Sequence, residues 1–277
     1  MLIAGCGDLG CELGRQLLAQ GIAVTGLRRS DSPLPQGIVA IRADVTAPDS
    51  LRGLAALQPQ VLVYSVAATA SDDDSYRRHY VQGLSNLLAA LRDSTTLRHV
   101  FFVSSTRVYG QQGGMVLDER VPAWPADFRG RRLLEAEALL HALHCGHTAL
   151  RLSGIYGPGR TRLLRLAADP ATWPAQNAWT NRIHRDDAAA FIGFLVRRIL
   201  ANQPVEDCYI VSDSEPAPQY TVLLWLARQL GVDVSAVAVP TAAGSRPLGN
   251  ARMLGTGFQL AFPDYRAGYS ALMRSVP

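Results

Sequence analysis

Lysine is absent from this chain, whose 27 basic residues are all arginine. A guanidinium keeps its proton at physiological pH, whereas an ammonium group can lose its proton and become a nucleophile or a base. Any mechanism that needs a lysine, such as Schiff-base formation, is therefore excluded. Because the composition is rich in Ala, Arg and Leu, we attribute the absence to coding bias rather than to function.

Long apolar runs and targeting segments are also absent. No stretch of about 18 consecutive apolar residues occurs, and no charged and then apolar segment precedes the first predicted strand. Arginines are adjacent in pairs at most, and the net charge is only +4, which argues against nucleic-acid binding. We therefore expect a cytoplasmic protein with neither a membrane nor a nucleic-acid partner.

Cysteine is scarce and lacks the spacing of metal ligands. The four cysteines, Cys6, Cys11, Cys145 and Cys208, form no C-x-x-C pair. Free thiols in a reducing compartment are the simplest interpretation, and the sequence predicts no metal site. A hydrophobic content of 48% and a charged content of 18% over 277 residues suit a globular α/β enzyme with one large domain or two smaller ones.

The N-terminal stretch carries the motif around which the chain is organised. Residues 1–4 form a short apolar run that predicts a buried strand, and residues 5–10 read G-C-G-D-L-G. Apolar positions then keep a helical period until Gly21. In a strand, G-x-G-x-x-G, helix pattern, the glycines provide a tight turn, room for a pyrophosphate and close helix packing, in that order. The predicted cofactor contacts here are Gly5, Gly7, Asp8, Leu9 and Gly10.

Strand and helix patterns alternate along the following residues. Strands are predicted at 22–27, 38–41, 61–66, 99–103 and 148–152, and helices at 76–92 and 131–144. Such alternation predicts right-handed crossovers, and hence an α/β fold with a Rossmann doubly wound parallel sheet.

The pattern loosens after residue 152. A short strand at 181–184 precedes a helix that Asp186 or Asp187 caps, and a strand at 208–211 and a helix at 220–230 follow. We expect residues 1–152 to form the core of an NAD(P)-binding Rossmann domain. Residues 153–277 would form mostly a smaller α/β substrate-binding lobe, with some segments returning to the Rossmann sheet.

Arginines at the end of the second predicted strand bear on cofactor choice. This strand end faces the adenosine ribose in a dinucleotide site, where a carboxylate would bind the 2′-hydroxyl of NAD. Arg28 and Arg29 instead offer forked donors to a 2′-phosphate, which favours NADP over NAD. Two solvated surface arginines are the alternative. Further predicted cofactor contacts are Asp44, which could accept the adenine amino group, Val45, Ala67 and Ala68.

Five stretches, in this order along the chain, carry a family resemblance. They read GCGDLG at 5–10, FFVSSTRVYG at 101–110, RLSGIYGPGR at 151–160, NRIHRDD at 181–187 and CYIVSDSEP at 208–216. Together with the tail at 249–269 they resemble the extended short-chain dehydrogenase/reductase superfamily, and within it the NAD-dependent epimerase/dehydratase group. The resemblance implies a nicotinamide cofactor and oxidoreductase or isomerase chemistry on a carbonyl or sugar-like small molecule.

The resemblance also implies a catalytic set: a Ser or Thr that polarises the substrate oxygen, a Tyr that transfers the proton, and a Lys four residues later. Ser105 matches the serine, although a strand-end serine that bonds the backbone is the alternative. Phe128 and Arg132 stand at the tyrosine and lysine positions, with Arg131 as another register. Phenylalanine has no proton to give, and arginine is neither acid nor base. The Tyr-x-x-x-Lys motif is lost, whereas cofactor binding, to which Arg132 can contribute, is still expected.

Other residues could donate a proton or contact a substrate. Tyr76 and Tyr80 begin the helix after the fourth predicted strand, and Tyr109 and Tyr156 end family-like motifs, although a packing role is the simpler interpretation of each. His184 lies in a family-like stretch where a structural hydrogen bond is expected. The resemblance places substrate contacts at Thr106, Tyr156 and Asn181.

Two classes of function remain open. The first is an NAD(P)-dependent oxidoreductase or epimerase in which Ser105 orients the substrate oxygen; the second is a catalytically degenerate NADP-binding sensor or regulatory protein. Phe128 favours the second, and the retained serine and substrate lobe favour the first. The predicted helices at 76–92 and 131–144 resemble those that pair family members into a homodimer, although the sheet could equally cover their apolar faces.

Overall fold

The computed structural model describes residues 1–111 and 116–275. Its strands are β1 (Leu2–Ala4), β2 (Thr25–Arg28), β3 (Val39–Arg42), β4 (Val61–Tyr64), β5 (His99–Ser105), β6 (Gly146–Leu152), β7 (Gly154–Tyr156), β8 (Trp179–Thr180), β9 (Arg182–His184), β10 (Cys208–Val211) and β11 (Ala217–Pro218). Seven of these strands form the largest sheet, in the order β10-β6-β5-β4-β1-β2-β3. The pairs β3–β2, β2–β1, β1–β4 and β4–β5 are parallel.

Helices connect these strands. They are α1 (Asp8–Leu18), α2 (Asp73–Tyr76), α3 (Gly83–Ala90), α4 (Phe128–Leu140), α5 (Arg162–Ala167), α6 (Arg185–Leu200), α7 (Gln219–Gln229), α8 (Ala251–Gly255) and α9 (Tyr265–Ser275). The sequence of strand and crossover helix confirms the predicted Rossmann doubly wound α/β fold.

Apolar runs explain why β1 and β4 lie in the interior of the sheet. Every residue of both strands is buried, as expected for parallel strands that are covered on two faces. Ile3 pairs with Gly26 of β2 and with Val63 of β4. On the surface of α1, Leu9, Leu13 and Leu17 repeat at a helical period and are buried.

The predicted helix at 76–92 is a longer and less regular element than its apolar period indicates. Helical residues run from α2 through a π-helical segment, Arg77–Gln82, into α3. The Tyr64 hydroxyl donates to the His79 carbonyl oxygen inside this segment. A side chain that bonds a helical carbonyl competes with the main-chain ladder, which accounts for the local widening.

The chain divides into two compact units. The first comprises Met1–Tyr109, Ala123–Arg151 and Ala189–Tyr209, and the second comprises Gly110–Pro122, Leu152–Ala188 and Ile210–Pro277. The second unit has its own core, in which Tyr220, Leu223, Leu226, Tyr265 and Tyr269 are buried. Its two small sheets pair β11 with β8 and β7 with β9.

No helix among the described residues is long and apolar enough to cross a membrane. Within the same residues, no group of three or more His, Cys, Asp or Glu side chains is arranged to hold a metal ion. None of the four cysteines, all of which lie in the described chain, forms a disulfide.

Candidate dinucleotide and substrate sites

The loop between β1 and α1 needs glycine for steric reasons. Gly5 has a φ of +83°, and a Cβ on it would lie 2.5 Å from the Val66 nitrogen. A Cβ on Gly10 would lie 2.8 Å from the Gly5 carbonyl oxygen. The N–H groups of Gly5 and Cys6 both donate to the Leu27 carbonyl oxygen at 3.0 Å. Only glycine fits at the first and third positions of the motif.

Gly7 differs from these two glycines because it faces open space. The atom nearest to a Cβ built on Gly7 would be the Gly5 carbonyl oxygen, at 4.0 Å. Gly7 is also the N-cap of α1 and makes no side-chain capping hydrogen bond. A helix N-terminus with an uncovered glycine in front of it combines amide donors and a positive dipole end with room for an anion. The loop therefore has the shape that a phosphate group requires.

Two further predicted cofactor residues meet at the ends of β2 and β3. Arg29 Nη1 lies 3.8 Å from Asp44 Oδ2, and Arg28 Nε donates to Ser30 Oγ at 3.0 Å. Asp44 Oδ1 accepts from the Thr46 N–H at 2.8 Å and from its hydroxyl at 2.7 Å. Burial alone would raise the pKa of Asp44, but these hydrogen bonds and the Arg29 charge hold the pKa below its usual value. Asp44 is therefore an ionised acceptor at neutral pH.

The remaining predicted cofactor contacts differ in their exposure to solvent: some are buried, and others are partly or fully exposed. Val45 lies in the core, and its carbonyl oxygen accepts from Asn86 Nδ2 at 2.9 Å. Leu9 is also buried, so these two residues can offer a cofactor only backbone atoms. The contacts that are partly or fully exposed are Asp8, Ala67 and Ala68.

Strand β5 ends in two serines with different partners. Ser104 is buried, and its Oγ donates to Glu137 Oε1 at 2.5 Å. Ser105 is half-buried, and its Oγ accepts from the Arg107 N–H at 3.2 Å, which caps the short 3-10 turn Thr106–Val108. Neighbouring strand residues point to opposite faces, and an accepting hydroxyl can still direct its own proton elsewhere. Ser105 therefore makes the expected backbone contact and remains able to donate to a substrate oxygen.

A buried ion pair fixes this strand end. Glu137 on α4 lies 2.7 Å from Arg151 Nη2 on β6, and their side chains are only 9% and 12% exposed. Arg151 Nη1 also donates to the Tyr109 hydroxyl at 2.6 Å. With the bond from Ser104, the network joins β5, α4 and β6. Removing one member would leave a buried charge without its partner, so the network holds β5 and the adjoining Ser105 in place.

Helix α4 begins at Phe128, where the resemblance implies a tyrosine. Asp127 caps the helix by accepting from the Gly130 N–H at 3.1 Å, and Arg107 Nη2 donates to the same carboxylate at 2.6 Å. A Cβ on Gly130 would lie 2.6 Å from the Arg107 carbonyl oxygen. The start of α4 therefore packs directly on the turn that follows Ser105, so the structure brings Ser105 and Phe128 to the same region of the first unit.

Arg132, at the lysine position, is engaged by two carboxylates. Its Nε and Nη2 donate to Asp73 at 2.8 and 2.9 Å, and its Nη1 donates to Glu135 at 2.7 Å. These hydrogen bonds, first of all those to Asp73, raise the pKa of Arg132 further above its usual value. To hold a cofactor ribose, Arg132 would have to share its donors with Asp73 or Glu135. Arg131, the other register, is exposed.

Tyr76 and Tyr80, two of the possible proton donors, lie next to each other with 5.1 Å between their ring centroids, and Tyr76 also contacts Phe128. The half-buried ring of Tyr76 meets the Phe128 ring edge-on, with 5.6 Å between the centroids. The Tyr80 hydroxyl accepts from the Ala68 N–H, and burial raises the pKa of Tyr80 to about 12. Tyr80 is thus a poor source of protons at neutral pH, and Tyr76 is the tyrosine in contact with the altered position.

Tyr156 and Asn181 line a cavity of about 530 Å³ within the second unit. Tyr156 stacks on Tyr269, with ring centroids 4.5 Å apart. The Asn181 amide is used on both sides: Nδ2 donates to the Arg246 carbonyl oxygen at 2.7 Å, and Oδ1 accepts from the Leu248 N–H at 2.8 Å. Asn181 therefore holds the wall of the cavity in place.

His184 has the structural role that was expected of it. Its Nδ1 accepts from the Asp186 N–H at 3.2 Å at the start of α6. The predicted capping of this helix by Asp186 or Asp187 is wrong, because α6 begins at Arg185 and both aspartates lie in its first turn. Asp187 instead accepts from the N–H groups of Ala261 and Phe262 at 2.9 and 2.8 Å.

Sequence reasoning missed two buried charged residues of the second unit. Arg182 is 5% exposed and Asp213 is fully buried. One signal could have identified Arg182: it stands two residues before His184 in a short strand, so the two side chains share a face. No pattern in the sequence indicated Asp213, which follows β10 in a polar loop.

The sheet and its glycine loop place the chain among the Rossmann-type nucleotide-binding proteins. A narrower assignment follows from comparison with protein families. The model of the NAD dependent epimerase/dehydratase family matches residues 1–210, and the chain belongs to this family, as its motifs predicted. A search of the curated proteins found no match.

Solved structures are similar over nearly the whole chain. A candidate NAD-dependent epimerase/dehydratase from Methylobacillus flagellatus is 52% identical, with a TM-score of 0.91 over 99% of this chain and 97% of that chain. The Thermus thermophilus UDP-glucose 4-epimerase, in complex with NAD, is 18% identical, with a TM-score of 0.75 over 100% and 99%. The Bordetella bronchiseptica enzyme WbmG, in complex with NAD and UDP, is 21% identical, with a TM-score of 0.75 over 99% and 93%. The last two share the fold.

Proposed function

We propose that the chain binds a nicotinamide dinucleotide at the glycine loop and acts as an oxidoreductase or epimerase on a carbonyl or sugar-like small molecule. The observation that carries the proposal is the steric contrast within the loop. Backbone atoms enclose Gly5 and Gly10, whereas Gly7 faces open space at the start of α1. A purely structural turn would not need an open glycine there. The NAD complexes of the two distant relatives support the same class of cofactor.

NADP is the preferred cofactor in this proposal. Arg28 and Arg29 lie where the second strand ends, and the Arg29 side chain is 60% exposed. A guanidinium binds a phosphate through parallel hydrogen bonds, and the 2′-phosphate is the group that distinguishes NADP from NAD. Asp44 lies 3.8 Å from Arg29 and partly neutralises the Arg29 charge. Arg28 and Arg29 would therefore bind the phosphate together rather than Arg29 alone.

The double variant Arg28→Ala/Arg29→Ala tests this preference. Charge-assisted hydrogen bonds contribute about 1.5–3 kcal/mol each, so NADP affinity should fall at least about tenfold while NAD affinity changes little. Arg52→Ala removes an arginine that is 81% exposed elsewhere in the first unit and is the matched control. Calorimetric titration measures the affinities of the parent, the double variant and the control for NAD and for NADP. Equal affinity of the parent for NAD and NADP would contradict the proposal.

The chain's own residues would position the substrate, but Phe128 and Arg132 would not transfer a proton to or from it as the family's tyrosine and lysine do. When bound, the dinucleotide supplies hydride transfer. Ser105 would donate its hydroxyl proton to the substrate oxygen in a hydrogen bond. Phe128 has no ionisable group, and Arg132 keeps its proton, so the acid must be water or another residue. Tyr76, whose ring contacts the Phe128 ring, is a candidate for this acid because it has the phenol group of the family's tyrosine.

A catalytically degenerate NADP sensor or regulatory protein is the second candidate. It is favoured by Phe128 together with the engagement of Arg132 by Asp73 and Glu135. Oxidation of NADPH, measured against a panel of carbonyl compounds, separates the two functions. An enzyme turns over at least one compound, whereas a sensor binds NADPH tightly and oxidises none.

The four cysteines form no disulfide, which supports a reducing compartment, so we place the protein in the cytoplasm.

We also propose a homodimer that pairs α3 and α4 of two copies. Their exposed residues, Ser85, Ala89, Arg131, Glu135 and Ala138, would form a small and polar interface.

A further inference from the structure

Two thiols lie close together at the glycine loop. Cys6 stands between Gly5 and Gly7, and its Sγ lies 4.0 Å from the Sγ of Cys11 near the start of α1. The Cys11 thiol also donates to the Cys6 carbonyl oxygen at 3.4 Å. Because a disulfide bond is about 2.0 Å long, the two sulfur atoms need to approach each other by only about 2 Å to be joined.

The two thiols differ in their access to solvent. Cys6 is fully buried, and a Cβ built on Gly26 of β2 would lie 2.8 Å from its Sγ. Burial, and then the neighbouring Cys11, raise the pKa of Cys6 to about 12, so Cys6 is a poor nucleophile toward an oxidant in solution. Cys11 is half-buried. A small oxidant therefore reaches Cys11 before it reaches Cys6.

A bond between the two sulfur atoms would displace the start of α1. The loop before it is anchored, because the N–H groups of Gly5 and Cys6 both donate to the Leu27 carbonyl oxygen at 3.0 Å. Gly7 faces open space, and its carbonyl oxygen accepts from the Cys11 N–H at 2.7 Å. Movement of Cys11 toward Cys6 is therefore transmitted to Gly7 and to the first amide groups of the helix.

We propose that Cys6 and Cys11 form a reversible disulfide when the protein meets a hydroperoxide, and that this disulfide lowers the affinity of the glycine loop for its dinucleotide. The inference rests on the proposed function, because the amide groups that would move are those expected to bind the pyrophosphate. Disulfides in cytoplasmic proteins are usually transient and serve catalysis or redox sensing. A switch of this kind is thus compatible with the free thiols of the reduced chain.

The reaction proceeds in two steps, here with hydrogen peroxide as the oxidant. The Cys11 sulfur attacks one peroxide oxygen and the O–O bond breaks, which gives a Cys11 sulfenic acid and water. The Cys6 sulfur then attacks the Cys11 sulfur, the S–O bond breaks, and the leaving hydroxide takes the Cys6 proton to form a second water. The contact between the two sulfur atoms favours this step over attack by an outside thiol. The two cysteines lose two electrons and two hydrogens, and the peroxide is reduced to two waters.

Peptide mass spectrometry tests whether the disulfide forms. The chain has no lysine, so trypsin cleaves only after arginine, and the first tryptic peptide is Met1–Arg15. This peptide contains Cys6 and Cys11, whereas Cys145 and Cys208 lie in two other peptides. After the full chain is treated with hydrogen peroxide and digested without reductant, Met1–Arg15 should be lighter by two hydrogens. Dithiothreitol should restore the original mass.

Calorimetric titration with NADP tests the effect on the cofactor site. Oxidation should raise the Kd of the parent at least about tenfold, and dithiothreitol should reverse the change. Cys11→Ser should bind NADP as the reduced parent does, and peroxide should change its Kd less than about twofold. Cys208→Ser, at a half-buried cysteine of β10, is the matched control and should respond to peroxide as the parent does.

Three results overturn the inference. The first is a Met1–Arg15 peptide that keeps both thiols, or gains only oxygen, after peroxide treatment. The second is a disulfide-bonded parent whose NADP affinity equals that of the reduced parent. The third is an equal loss of affinity in peroxide-treated Cys11→Ser, which would place the oxidised group elsewhere. If the reduced parent binds neither NADP nor NAD, the proposed function fails and the control of cofactor binding fails with it, whereas the peptide mass still shows whether the disulfide forms.

Discussion

Phe128 and Arg132 stand one helical turn apart at the start of α4, and both depart from the family's chemistry. Phe128 is half-buried, and its ring meets the Tyr76 ring edge-on. A tyrosine there would have a proton to give, and a lysine at position 132 would lower the tyrosine pKa through its charge. These two substitutions would therefore supply the proton donor and the neighbouring charge that the resemblance implies at these positions.

The double variant Phe128→Tyr/Arg132→Lys should therefore gain rate on any substrate that the parent accepts. General acid–base catalysis contributes roughly 10²–10⁴-fold, which sets the scale of the gain in kcat. Arg132→Lys alone is the control, because it restores the charge without the acid. The measurement is steady-state NADPH oxidation.

Ser105→Ala is the complementary change. It should remove most of the parent's residual turnover and leave NADP affinity unchanged, because the serine is expected to contact the substrate oxygen. Turnover that is unaffected by this change, in a variant that still binds NADP, would contradict the catalytic interpretation and favour the sensor.

Asp213 predicts a distinctive dependence of stability on pH. Burial raises its pKa to about 7, whereas an aspartate in an unfolded chain titrates near about 4. The folded state thus holds the proton more tightly, so the contribution of this proton to stability is complete below about pH 4 and is lost as pH rises through 7. Between pH 5 and 8 the parent should lose about 2–3 kcal/mol more stability than Asp213→Asn.

Urea unfolding at a series of pH values measures this difference. Asp49→Asn, at an aspartate whose side chain is 85% exposed, should reproduce the parent's curve and is the control. Parallel curves for the parent and Asp213→Asn would mean that Asp213 titrates normally in the folded protein.

Single residues of the site differ in how far the sequence could reveal them. Gly5, Gly7 and Gly10 were recognisable because the G-x-G-x-x-G spacing between an apolar strand and a helical period is a local pattern. The pairing of Arg132 with Asp73 was not recognisable, because Asp73 lies 59 residues away, at the start of α2. For Arg182 the spacing from His184 was a signal of a shared strand face, whereas its contact with the Tyr265 ring arises only in the folded second unit.

In the glycine loop, substitution of Gly7 and of Gly10 should have different effects, because Gly7 faces open space and Gly10 is enclosed. Gly7→Val should abolish dinucleotide binding and leave the fold intact, because the new side chain fills the open space at the helix start. Gly10→Ala should instead destabilise the fold by about 1–3 kcal/mol, because its Cβ would lie 2.8 Å from the Gly5 carbonyl oxygen.

Calorimetry with NADP and thermal unfolding distinguish the two changes. Unchanged affinity in a folded Gly7→Val variant would place the cofactor elsewhere. An unchanged melting temperature in Gly10→Ala would show that the loop can move away from α1.

Element boundaries were less predictable than element types. The helix predicted at 131–144 runs instead over Phe128–Leu140. Its true start had a visible signal, since Asp127 is a good N-cap residue. The helices α5 and α9 had no strong signal: α5 is six residues long, and α9 ends the described chain. Their apolar residues share one buried face only in the folded second unit, where they pack in its core.

At the scale of the whole molecule, the proposed homodimer is the clearest prediction. Light scattering at micromolar concentration should give about twice the chain mass of 29.9 kDa. Ala89→Arg, on the exposed face of α3, should shift the mass toward a monomer, whereas Ala201→Arg, exposed after α6, should not. A monomer mass for the parent would contradict the dimer. None of the large hydrophobic side chains that are exposed in the described chain lies on α3 or α4, so the interface would have to be polar.

The first unit is assembled from three separate segments, the last of which ends at Tyr209. A ribosome that adds about 5–20 residues per second needs roughly 10–40 s to synthesise the stretch from Met1 to Tyr209. Until β6 has emerged, β5 has an unpaired edge, and β6 in turn waits for β10. The edge of the sheet at β5, and then at β6, is thus exposed to chaperones until the last of the three segments has been synthesised.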